Sequence, residues 1–189
     1  MASTAEALVR LCDPGAEVSA HYLIAESGEV LALVAEEMRA WHAGAGEWAG
    51  ITDVNSHSIG IELANPGDRP FAHRQMQALE RLLPQIMARW SILPRNVIGH
   101  SDMAPSRKGD PGRRFDWRRL ALRGFSVWPE PRPALPDRFA ADLAAFGYPA
   151  VPPEHLLAAF RLRFRPGTSG PQRSQDAEMA AGLAGLYRP

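Results

Sequence analysis

Cysteine is almost absent from this chain: Cys12 is the only one in 189 residues. A single thiol excludes an internal disulfide and leaves the redox compartment open. No run of about 18 apolar residues occurs, so nothing reads as a membrane span. Neither sign of charge is in excess. The 21 Lys and Arg balance 21 Asp and Glu, which removes any global argument for nucleic acid or an acidic membrane as partner. There is no internal repeat and no low-complexity tract. No leader-type apolar segment is seen, because Met1-Ala2-Ser3-Thr4 leads directly into a helical pattern.

What is present suits a globular chain with a real core. Apolar residues make up 46% and charged residues 22%. The length allows one medium domain, or one domain with a small module. A basic cluster, Arg107, Lys108, Arg113, Arg114, Arg118, Arg119 and Arg123, reads first as a solvated helix face and second as a polyanion site.

Ser3 and Glu6 form a capping-box pattern, so a short helix begins there. Residues 18–24 alternate as a strand, 26–29 are turn chemistry, and 30–34 return as the second strand of a hairpin. Residues 42–57 read as loop, and Ser58 to Leu63 as another strand. Met76, Leu79, Leu82, Leu83, Ile86, Met87 and Trp90 recur at helical spacing, with Trp90 expected in the core and Pro84 expected to kink the helix or cost about 3 kcal/mol. Residues 96–99 are expected to form a short strand delivering His100, and 115–123 a short helix. Prolines 129, 131, 133 and 136 mark a linker, followed by three amphipathic segments at 137–146, 153–164 and 175–186.

The densest chemistry lies on the loop from His100 to Gly112. His100 and Asp110 are potential Zn²⁺ ligands, and Lys108 between them is a cation suited to a developing oxyanion. Glu62 interrupts an apolar run, where a carboxylate is either used or turned to solvent. Trp41 and His42 either line a pocket or pack under a loop. His21 sits mid-strand, most simply as a satisfied half-buried histidine, while His57, His73 and His155 have only surface readings. Such a set would suit metal-assisted hydrolysis. Water on zinc has its pKa lowered toward about 7, Glu62 would carry the proton to the leaving nitrogen, and Lys108 would stabilise the oxyanion.

Four stretches occur in order: residues 18–24, Ala40-Trp41-His42-Ala43-Gly44, Ser58-Ile59-Gly60-Ile61-Glu62-Leu63, and 99–112. Over roughly residues 1–128 the chain resembles the zinc-dependent N-acetylmuramoyl-L-alanine amidases, the family related to peptidoglycan recognition proteins. The resemblance implies an α/β fold, a mixed β-sheet flanked by helices, and hydrolysis of the amide between the lactyl group of N-acetylmuramic acid and L-alanine. It implies Zn²⁺ as cofactor and peptidoglycan or muropeptides as partners. It assigns His100 and Asp110 as second and third metal ligands, Glu62 and Lys108 as catalytic residues, and Trp41 and His42 as substrate-binding. Residues 137–189, after a linker at 129–136, are similar to three-helix peptidoglycan-binding modules.

Members of that family carry a first zinc ligand on an apolar strand that precedes the first helix. No histidine here takes that place; His21 stands as the substitute ligand or as a supporting residue. The expectation is that Met1 is internal to a longer reading frame. The alternative is an inactive muropeptide-binding protein. Location would be the cell envelope if a leader precedes this sequence, and the cytoplasm otherwise; the stem-peptide preference and oligomeric state stay open.

Overall fold

A computed structural model describes residues 3–186. It contains two compact units, one of Met1–Ala45 with Asp53–Leu93, the other of Gly46–Thr52 with Pro94–Pro189.

The first unit is built on a three-stranded mixed sheet in the order β2-β1-β3. Strand β1 (Tyr22–Ile24) pairs antiparallel with β2 (Val30–Ala32) and parallel with β3 (Ile61–Leu63). The strands are shorter than the alternation suggests because flanking backbone groups find partners outside the ladders. Ser19 N–H bonds Trp41 O at 3.1 Å, and His21 N–H bonds Gly60 O at 3.0 Å. Helix α1 (Thr4–Cys12) starts where Ser3 Oγ accepts from Glu6 N–H at 3.2 Å, as the capping pattern predicts. Its buried Ala7 and Leu11 pack with Ala20 and Leu23.

Helix α2 (His73–Trp90) buries Met76, Leu79, Leu83 and Ile86 and runs on through Pro84. An interior proline costs about 3 kcal/mol, which this continuous apolar face offsets. Gln75, fully buried, donates to Ile24 O at 2.8 Å and Ala64 O at 3.1 Å, tying α2 to the ends of β1 and β3. Trp90 is not core: it is 44% exposed, and its Nε1 donates to Glu36 at 2.6 Å. It falls in the last turn, and its polar edge finds a carboxylate there.

The second unit is helical. Residues 96–99 do not form a strand. Pro94–Asn96 is a 3₁₀ turn, and helix α3 (His100–Met103) follows. The carbonyl of Val97 is taken by a side chain, Arg163 Nη2 at 3.1 Å, rather than by a neighbouring strand. Helix α4 (Trp117–Leu122) is capped by Asp116, which accepts from Arg119 N–H at 2.9 Å.

The three expected C-terminal helices are α5 (Phe139–Phe146), α6 (Pro153–Phe164) and α7 (Ser174–Gly185). Their core is aromatic, with Phe160 5.2 Å from Phe139 and 5.4 Å from Phe164 between ring centres. The Pro-rich stretch runs along α7, where Arg132 N–H bonds Glu178 O at 2.9 Å. Among the described residues, no helix is long and apolar enough to cross a membrane.

Candidate active site

The first unit carries Glu62, Trp41, His42 and His21. Glu62 lies at the centre of β3, in register with the fully buried Leu23. It is half-buried. With no partner donating to it among the described residues, its carboxylate is available for proton transfer.

Trp41 and His42 sit on a loop whose backbone is clamped from two sides. Ser19 Oγ accepts from Trp41 N–H at 2.8 Å. Asn55 Oδ1 accepts from His42 N–H at 3.0 Å and from Ala43 N–H at 2.8 Å. The loop is thereby held with the Trp41 indole 50% exposed. Ser19 and Asn55 were not distinguished from other polar loop residues by sequence alone. The closest cue was the Gly, Asn, Asp and Ser richness of residues 42–57.

His21 is almost fully buried. Its Nδ1 accepts from Gly60 N–H at 2.9 Å, and its Nε2 meets Met38 O at 3.0 Å. An amide can only donate and a carbonyl can only accept, so the ring is the Nε2–H tautomer. Both nitrogens are committed, and His21 offers no lone pair to a metal. The ring braces the backbone at Gly60, two residues before Glu62. The His42 ring stacks edge-on to it at 5.5 Å. Gly60 is required there, because a Cβ at that position would enter the His42 ring.

The second unit carries His100, Lys108 and Asp110. His100 opens α3, and Asp110 returns beside it at the end of the loop, with His100 Nδ1 hydrogen-bonded to Asp110 Oδ2. Backbone bonds shape this loop. Ser101 N–H donates to Asp110 O at 3.0 Å, and Ala104 N–H to His100 O and Lys108 N–H to Ala104 O, both at 2.9 Å. Gly99 makes the return possible, since a Cβ there would lie 2.5 Å from Pro111 Cδ and 3.3 Å from Asp110 O.

The His100 side chain is 20% exposed and that of Asp110 55%. Partial burial would raise the Asp110 pKa, but the hydrogen bond and charge of His100, aided by Lys108, carry it below the ordinary carboxylate value. Lys108 is exposed.

An imidazole nitrogen and a carboxylate oxygen side by side fit zinc in donor type. They supply two donors, and no group of three His, Cys, Asp or Glu suited to a metal stands together among the described residues.

The N-acetylmuramoyl-L-alanine amidase family pattern matches residues 1–113, and the chain belongs to that family. It is a hydrolase of the peptidoglycan amidase class. It is 37% identical over 185 residues to the N-acetylmuramoyl-L-alanine amidase AmiD of Escherichia coli, covering 79% of this chain and 67% of that protein. It is 41% identical over 103 residues to the 1,6-anhydro-N-acetylmuramyl-L-alanine amidase AmpD of Enterobacter cloacae, covering 54% of this chain and 55% of that relative.

Among solved structures, E. coli AmiD in complex with anhydro-N-acetylmuramic acid-L-Ala-D-gamma-Glu-L-Lys superposes with a TM-score of 0.82 at 33% identity, over 96% of this chain and 82% of that one. AmpDh3 of Pseudomonas aeruginosa with anhydromuramic pentapeptide gives 0.85 at 30% identity, over 99% and 89%. The expected mixed sheet flanked by helices is therefore the fold of this chain.

Proposed function

We propose that this chain cleaves the amide between the lactyl group of N-acetylmuramic acid and L-alanine in muropeptides or peptidoglycan, with Glu62 as proton carrier and Lys108 as oxyanion-stabilising cation. The observation that carries the reading is the His100–Asp110 pair, closed on a loop that Gly99 allows to return. A zinc ion, held by His100 and Asp110 with a further donor, would polarise the scissile carbonyl and acidify water.

The chain's own residues do the rest. Glu62, with nothing among the described residues donating to its oxygens, takes a proton from water and returns it to the departing alanine nitrogen. Lys108 brings positive charge from a loop whose backbone is pinned to Ala104. Trp41 presents a flat apolar face to the sugar or stem peptide, and the clamps from Ser19 and Asn55 spare the loop an ordering cost on binding. Muropeptides are favoured as substrate because AmiD and AmpDh3 were solved with such compounds.

The test is incubation of the 189-residue chain and added Zn²⁺ with an anhydro-muropeptide, followed by mass spectrometry. Release of anhydro-N-acetylmuramic acid and free peptide supports the reading. An intact substrate overturns it. A second reading, a muropeptide-binding protein without turnover, is favoured by the two-donor set. It predicts saturable muropeptide binding by calorimetry with no cleavage.

A further inference from the structure

Asp102 lies two residues after His100, on α3, and is completely buried. Its Oδ2 accepts from Gly99 N–H at 2.9 Å and from Arg163 Nη1 at 2.8 Å, and its Oδ1 accepts from Tyr148 OH. Arg163, on α6, is 1% exposed and Tyr148 3%. The other arm of the guanidinium, Nη2, donates to Val97 O at 3.1 Å and Ser126 Oγ at 3.0 Å. Its Cζ lies over two rings, 4.3 Å from the Trp117 ring centre and 5.0 Å from that of Phe164.

One cation therefore grips residues 97 and 102, on either side of His100. A buried ion pair is seldom a net source of stability, since apolar replacements of similar volume often do as well. What a planar fork supplies, and an apolar side chain cannot, is direction.

We propose that Arg163, with Asp102 and Tyr148, is a positioning device for His100. The C-terminal helices, read from sequence as a wall-binding module, set the geometry of the ligand-bearing loop. The effect on turnover rests on the amidase reading; the effect on the loop does not.

The test uses the full chain with three variants, Arg163→Met, Arg163→Lys and Tyr148→Phe. The last removes one hydroxyl and keeps the ring, so it folds even if the first does not. Hydrogen exchange is followed by mass spectrometry in peptides covering 97–110 and, as internal reference, 174–185. The expected result for Tyr148→Phe is exchange about tenfold faster in 97–110 with 174–185 unchanged.

For Arg163→Met, kcat toward the muropeptide falls about 100-fold with KM within about twofold, the size of loss that an ångström of misplacement produces. Lysine at 163 restores part of the loss, through charge without the fork. Equal acceleration in both peptides, or none in 97–110, overturns the proposal. So does an active wild-type enzyme whose kcat is untouched by Arg163→Met. A wild-type chain that cleaves nothing overturns the amidase reading instead, and the exchange result still decides this one.

Discussion

Glu36 receives the fork of Arg89, with Oε1 2.5 Å from Nη2 and Oε2 2.9 Å from Nε. The same carboxylate accepts from Trp90 Nε1 and Tyr22 OH, both at 2.6 Å. It ties the end of α2 to β1. The hydrogen bond from Arg89 is the largest influence on its acidity; burial opposes it, and Tyr22 and Trp90 add to it, bringing the pKa from 4.5 down to about 2.

A carboxyl more acidic folded than unfolded contributes stability in full above its unfolded value, and loses it as the pH falls from there through the folded value. For Glu36 that window runs from about pH 4.5 down to about 2. Urea midpoints of the wild type and Glu36→Gln will therefore differ most at neutral pH and converge as the pH falls from about 4.5 toward about 2. A gap that stays constant across this range would remove Glu36 from the account.

Glu62→Gln separates chemistry from stability. The carboxylate is half-buried and has no partner among the described residues, so its loss will leave the unfolding free energy in urea within about 0.5 kcal/mol of wild type. The kcat will fall by about 10²–10⁴. Retained turnover in a properly folded variant would exclude Glu62 as the proton carrier.

His100 and Asp110 are predicted to act together on zinc, and Lys108 separately from it. If a four-ligand site is worth about 10–16 kcal/mol, each donor accounts for roughly 3 kcal/mol. His100→Ala and Asp110→Ala will each weaken Zn²⁺ binding about 100-fold by calorimetry. Lys108→Ala will leave that affinity in place while lowering kcat about 10²–10³-fold. Equal zinc affinity in wild type and His100→Ala would show that the ion binds elsewhere.

Asp176 anchors the helical unit. It is fully buried, and accepts from Arg161 Nη2 at 2.6 Å, Arg165 Nη1 at 2.5 Å and Arg173 N–H at 2.8 Å. Burial would raise its pKa, yet these donors bring it below the ordinary value. Asp176→Ala strands buried positive charge and is expected to cost about 3–5 kcal/mol of unfolding free energy in urea. A cost under about 1 kcal/mol would mean that solvent reaches the arginines.

The readable parts of this fold were the local ones. The cap at Ser3, the long stripe of α2 and the three C-terminal helices follow from spacings within a few residues. The structure departs from the local pattern where polar groups find partners far away in the chain. Residues 96–99 look like a strand until Arg163, 66 positions from Val97, takes the carbonyl a strand partner would need. Trp90 looks like core by periodicity, yet Glu36, 54 positions away, draws its N–H outward.

By itself the sequence determined the order of helices and turns, the family, and which residue types stand on the His100–Gly112 loop, because propensity, capping and turn chemistry act over one or two turns of chain. Only the tertiary structure decided that both nitrogens of His21 are spent on Met38 and Gly60. It alone joined Arg163 to an Asp102 lying 61 residues away. Buried polar groups must find partners, and which partner each finds is settled only when the packed chain leaves no water to serve instead.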